Sequence, residues 1–126
     1  MESSIDFTIG PEASPAEAME RAGAMVGLSL PRFLKGVWGA ERACAAAQAV
    51  LAELVDVTAR HKAGIDLVGR VAFDGLHVTV SVGDMLGPLP DPETEPGLYV
   101  VHRLASVVGQ YDGYQGGRVT WASVAA

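Results

Sequence analysis

The segment IDLVGRVAFDGLHVTVSV, residues 65–82, changes the spacing of everything before it. Val71 and Phe73 alternate with other residues on one side of Asp74-Gly75. Leu76, Val78, Val80 and Val82 alternate on the other. A period of two sends successive side chains to opposite faces of a strand, and Asp-Gly between two such runs is a strong short-range hairpin signal. The middle of the chain is therefore expected to be an antiparallel hairpin, against which the flanking segments pack.

Upstream, residues 40–62 contain neither Gly nor Pro and are rich in alanine. Ala43, Ala47, Val50, Leu51, Leu54, Val55 and Thr58 recur at helical spacing, which predicts the main core-facing helix, with Gly64 as its stop. Residues 27–39 are apolar but interrupted by Gly27, Pro31, Gly36 and Gly39. They read as a connection with a short helical turn, in which Phe33 and Trp38 pack. Before them, Ser14, Pro15 and Glu17 form a capping box for a helix over residues 15–26, with Ala18, Ala22, Met25 and Val26 on its buried side. Residues 4–10, SIDFTIG, alternate Ile5, Phe7 and Ile9 and stop at Gly10-Pro11, as a short strand does.

Downstream, GDMLGPLPDPETEPG (residues 83–97) is an acidic loop holding Pro88, Pro90, Pro92 and Pro96. Loops this long inside a small domain often serve as lids or binding segments. Residues 98–108 return to helical spacing through Leu98, Val101, Leu104, Ala105 and Val108. QYDGYQGGRVTWASV (residues 110–124) then reads as a second hairpin. Its last strand places Val119, Trp121 and Ser123 on one face and Arg118, Thr120 and Ala122 on the other. Helices grouped with antiparallel hairpins predict an α+β fold, a two-layer α/β sandwich, in one domain spanning residues 1–126.

Composition narrows the function. A chain of 126 residues, 49% hydrophobic and 19% charged, has the size and balance of a globular domain. The net charge of −6 and scattered basic residues argue against nucleic acid as a partner, because phosphate contacts need clustered Lys and Arg. No apolar run reaches the roughly 18 residues of a membrane span, and the first residues lack the pattern of a signal peptide, so a cytoplasmic location is expected. Cys44, alone among alanines, reads as a small core residue. His61 suits the negative end of a helix, while His77 and His102 are too far apart in sequence to suggest a metal site.

The motifs carry a resemblance. AELVDVTARH (residues 52–61), VSVGDMLGP (residues 80–88), EPGLYVV (residues 95–101) and GGRVTW (residues 116–121) stand in the order of four family segments. The chain resembles the histidine-kinase-like ATPases (the Bergerat fold), and among them the small bacterial anti-sigma-factor serine kinases. That resemblance implies a mixed, mostly antiparallel sheet with helices on one face. Glu53 takes the place of the residue that activates the attacking group, and Asp84 that of the adenine-binding Asp. Gly97 and Leu98 take places at the helix that receives the phosphates.

Other chemical positions of the family are replaced. Val57 stands where an Asn holds Mg2+, although that ion requires oxygen ligands. Asp56 is displaced by about 100° around the helix and is a poor substitute. Leu86 and Pro88, with Gly87 between them, stand where glycines let the backbone approach the nucleotide. Glu95 replaces a glycine, and Asp91 and Glu93 share its loop. Like charges about 4 Å apart repel by roughly 4 kcal/mol at an effective dielectric near 20, which disfavours a triphosphate there. Val119 takes the place of a Thr near the adenine.

The resemblance therefore implies a regulatory protein-interaction module on a degenerate ATPase fold, with weak or no ATP binding. The expected partner is a sigma factor, its antagonist or another regulator, and homodimers through the first strand and helix fit the same family. No cofactor is expected. Two alternatives stay open: an active serine kinase using ATP and Mg2+ with Glu53 as its catalytic residue, or the same fold binding another small ligand.

Overall fold

Alternation along the strands decides which side of the sheet is covered. The computed structural model describes residues 3–62, 65–113 and 116–126. Its elements run β1 (Ser3–Ile9), α1 (Pro15–Phe33), α2 (Ala40–His61), β2 (Leu67–Phe73), β3 (His77–Met85), α3 (Gly97–Leu104), β4 (Val107–Asp112) and β5 (Arg118–Ala125). The fold is α+β: three helices and a five-stranded sheet in the order β1-β2-β3-β5-β4. All four strand pairings are antiparallel, so the mixed sheet expected from the resemblance is not what forms.

The central hairpin forms where expected. Val71 pairs with Val80 and Phe73 with Val78. The Asp74 carboxylate accepts the backbone N–H groups of Leu76 (2.8 Å) and His77 (2.7 Å), while Gly75 takes φ of 101°, a conformation that favours glycine. Those two amide bonds hold the Asp74 carboxyl below its ordinary value. Phe7, Ile9, Leu67, Val71, Val78, Val80, Val82, Ala122 and Val124 all bury on one side and join the helices in one hydrophobic cluster. Thr120, Ala122 and Val124 are the core-facing positions of β5, leaving Val119, Trp121 and Ser123 on the other face. Gly69 is the partner of Phe7 across the β1–β2 ladder, and the Phe7 ring lies where a Cβ on Gly69 would sit.

α2 is the central helix. It buries Ala43, Ala47, Val50, Leu51, Leu54, Val55, Val57 and Thr58, each aliphatic side chain of Val or Leu size contributing about 1.5–3 kcal/mol when fully covered. Its expected stop, Gly64, lies outside the described residues. Cys44 is only half-buried, and that partial burial pushes its thiol up.

Two helix boundaries differ from expectation. α1 does not end at Val26 but continues to Phe33, straight through Pro31. Its buried stripe Ala18, Ala22, Val26, Leu30 repeats every four residues and reaches Leu34, so packing against α2 outweighs the single backbone bond that Pro31 removes close to the helix end. Met25, expected inside, is 39% exposed. α3 ends at Leu104 rather than Val108. Ala105 turns extended, and Ser106 N–H donates to the Ser123 carbonyl (2.7 Å), which starts β4 on the edge of β5. Phe33 packs against the core as expected, but Trp38 does not: it is 95% exposed. Among the described residues no helix is long and apolar enough to cross a membrane.

A candidate functional site at the end of the second helix

Residues Glu53, Asp56, Val57, Arg60 and His61 occupy the last turns of α2, and α3 and the 86–96 loop come to meet them. Spacing explains the division of faces. Val57 lies with Leu54 on the core side, whereas Asp56 and Arg60, four residues apart, lie together on the wet side. Arg60 Nη2 donates to Asp56 Oδ2 at 2.9 Å.

The same guanidinium reaches across the chain. Arg60 donates through both terminal nitrogens to the two oxygens of Glu95, at 2.8 and 2.7 Å. His61 Nε2 lies 3.0 Å from Glu95 Oε1. A bidentate arginine–carboxylate pair is among the stronger ionic contacts available. Arg60, then His61, holds the Glu95 carboxyl down at about 2, and Glu95 in turn raises the Arg60 guanidinium above its usual value. Only 14% of the Glu95 side chain is exposed. The acidic loop thus does not present this carboxylate to a ligand; the chain neutralises it internally.

Two more anchors fix the loop. Leu86 N–H donates to the His61 carbonyl at the end of α2 (2.9 Å). Leu89 N–H donates to Gln110 Oε1 (3.0 Å), Gln110 Nε2 donates to Thr120 Oγ1 (3.1 Å), and Thr120 donates to Met85 Sδ (3.4 Å). Leu89 packs against the core from above, while Leu86, Gly87 and Pro88 remain exposed at the start of the loop. The result is a strap tied to α2, β4 and β5 rather than an open lid.

The expected site residues separate into two groups. Glu53, Val57, Gly97 and Leu98 come together where α3 meets α2. Val57 is only 2% exposed and Leu98 is fully covered, so both are core residues. The Glu53 carboxylate stands so close to Gly97 that a Cβ there would collide with it. Gly97 therefore admits a carboxylate of the chain itself to the first turn of α3, the place that favours an anion.

Asp84 is not part of that group. The register of β3 against β5 shifts between Val82 and Met85. Shifts of this kind re-aim side chains. Met85 turns to the helix side and Asp84 to the uncovered face of the sheet. There Gly117 N–H donates to Asp84 Oδ2 (3.2 Å); a Cβ on Gly113 would collide with the carboxylate, and one on Gly117 with the Asp84 Cβ and the Met85 carbonyl oxygen. Asp84 borders a hollow of about 280 Å3 with Val68, Arg70, Ser81, Tyr111 and Val119. Val119 faces the same way, so it is Thr120, one residue on, that stands on the helix side.

Arg60, His61, Glu95, Gln110 and Thr120 hold the strap, and only part of this was readable in sequence. The Asp56–Arg60 spacing announces an ion pair on one helical face. Nothing local joins Arg60 to Glu95, which is 35 positions away. No family model matches the chain, and no curated protein matches it in sequence.

Proposed function

We propose that the chain is a regulatory protein-interaction module built on a degenerate Bergerat-type ATPase fold, of the anti-sigma-factor-like kind, that works without bound nucleotide. One observation carries the reading: the region between α2, α3 and the 86–96 strap is occupied by the chain's own groups. Val57, Leu98 and Met85 fill it, Glu53 faces the first turn of α3, and Glu95 uses the available cation of Arg60. An ATP molecule entering there would have to displace two carboxylates and open the strap, without gaining an oxygen ligand for Mg2+ from position 57. The three helices packed on one face, the order of elements and the long loop between β3 and α3 support the Bergerat-type assignment.

The test is thermal unfolding with and without ATP and Mg2+. A ligand present at a hundred times its dissociation constant adds about 2.7 kcal/mol, an upward shift of several degrees. No shift is expected, and a clear one would return the active serine kinase to first place. The partner half of the proposal has its own readout. Cross-linking in the cells that make the protein, followed by mass spectrometry, should recover a sigma factor or its antagonist. Recovery of neither would overturn the anti-sigma assignment.

A further inference from the structure

The α1–α2 connection carries Trp38, whose 95% exposure leaves the largest apolar side chain type in water with nothing packed on it. Trp38 stands on the rim of a groove of about 690 Å3 at the far end of α2 from the strap. Ala43, Ala46, Leu104 and Val124 give this groove an apolar floor, small on the α2 side so that a partner can approach closely. Arg42, from the first turns of α2, and Arg103, from the last turn of α3, also line it.

Three other arginines of the chain are already engaged. Arg21, Arg60 and Arg70 each have a carboxylate within ion-pair distance. Neither Arg42 nor Arg103 has an ion pair among the described residues, although Glu41 shares the same rim. The first turn of α2 opens here behind Gly39, which brings no capping side chain, so the helix end adds positive potential beside Arg42, offset in part by Glu41 of the same turn. In a chain of net charge −6, uncommitted positive charge gathered around an apolar floor is a local exception. Trp and Arg beside an apolar depression are also the side chains that dominate protein–protein contacts.

We propose that this groove docks an acidic amphipathic segment of a partner protein: an apolar side chain enters over Ala46 and Leu104 beside Trp38, and flanking carboxylates pair with Arg42 and Arg103. The inference rests on the interaction-module reading and gives it a surface, on a different end of the molecule from the strapped region. A nucleic acid would meet Glu41 and the chain's overall negative charge, and a basic segment would meet both arginines.

The test is a two-dimensional NMR titration of the full chain with two short synthetic amphipathic peptides, one of Leu and Glu and one of Leu and Lys. The Leu–Glu peptide should move the amide signals of Ala43, Ala46, Arg103 and Leu104, and the Leu–Lys peptide should leave them in place. Trp38→Ala should weaken the Leu–Glu complex by about tenfold or more, as loss of a hot-spot tryptophan does. Arg42→Glu with Arg103→Glu should abolish it. All three residues are exposed, and an unchanged spectrum away from the groove verifies that each variant folds. Signals that move elsewhere, equal response to both peptides, or binding that survives the substitutions would overturn the proposal. So would a concentration-dependent shift of these signals without peptide, which would make the occupant a second copy of the chain. An ATP titration on the same sample reads the strapped region separately: nucleotide binding there would sink the pseudo-ATPase reading and leave the groove standing.

Discussion

Replacing Glu95 with Gln tests the strap through a single proton-binding group. The substitution preserves size and removes the charge that Arg60 and His61 hold. Moving a carboxyl from its ordinary 4.5 to about 2 sets a ceiling of about 3.4 kcal/mol, at about 1.36 kcal/mol per tenfold change in proton affinity. The contact is not sealed from solvent, since the Arg60 side chain is 39% exposed, so screening reduces the expected loss to about 1–2 kcal/mol. The sign follows from linkage. A carboxyl depressed in the folded state contributes its stability in full above the unfolded value and loses it as pH falls through the folded one. Urea unfolding followed by circular dichroism, for both proteins at a series of pH values from 7 downward, should show Glu95→Gln less stable by about 1–2 kcal/mol near neutrality. The gap should begin to narrow near pH 4.5 and close towards pH 2. Other carboxylates titrate in that range too, but they are common to both proteins and leave the difference. Equal stability at pH 7 would refute the energetic role of the pair, and a gap that does not change with pH would show that the carboxylate charge is not its source.

Three further substitutions probe the packing around the site. Val57→Asn would place there the residue type with which the resembled family holds a metal, but position 57 is buried, so the variant should lose about 2–4 kcal/mol in chemical unfolding and gain no Mg2+-dependent stability. Thr58 buries its hydroxyl without a hydrogen-bond partner among the described residues, so the near-isosteric Thr58→Val should raise the unfolding free energy by about 1 kcal/mol, and a fall would disclose a partner for that oxygen. Gly69→Ala places a methyl into the Phe7 ring, which is held on the core side of β1, and should cost about 1–3 kcal/mol by the same measurement, with partial recovery in the Phe7→Leu background.

The fold was legible where one local pattern served one face. Val71, Phe73, Val78, Val80 and Val82 alternate because their strands are covered on one side only, and that alternation is visible without any knowledge of the partner strands. The capping box of α1 formed as read, with Glu17 N–H donating to Ser14 Oγ and Glu17 accepting from Ser14 N–H. The far end of α1 was not legible, because Gly27 and Pro31 are strong local breaks while the opposing force is distributed: Leu30 and Leu34 extend the stripe that packs on α2. Trp38 failed in the opposite direction. Its composition suggests burial, but it sits between Gly36 and Gly39, both at positive φ, in a tight connection with no layer above it.

The candidate site was legible by what it lacks more than by what it contains. Against the family that the chain resembles, a valine at position 57 and a leucine and proline around Gly87 stand where a metal ligand and glycines are expected, since those are properties of single residues. What the structure makes of these positions depends on long-range partners. Glu95 reads in sequence as a repulsive charge near a phosphate seat; in the fold it pairs with Arg60 and His61 and ties the loop to α2. Asp84 reads as the end of a strand with a ligand before it, yet the register shift between Val82 and Met85 turns it to the opposite face. Both reversals have the same physical origin. A side chain's identity fixes the interaction it can make, but the partner it finds is chosen by backbone pairing tens of residues away.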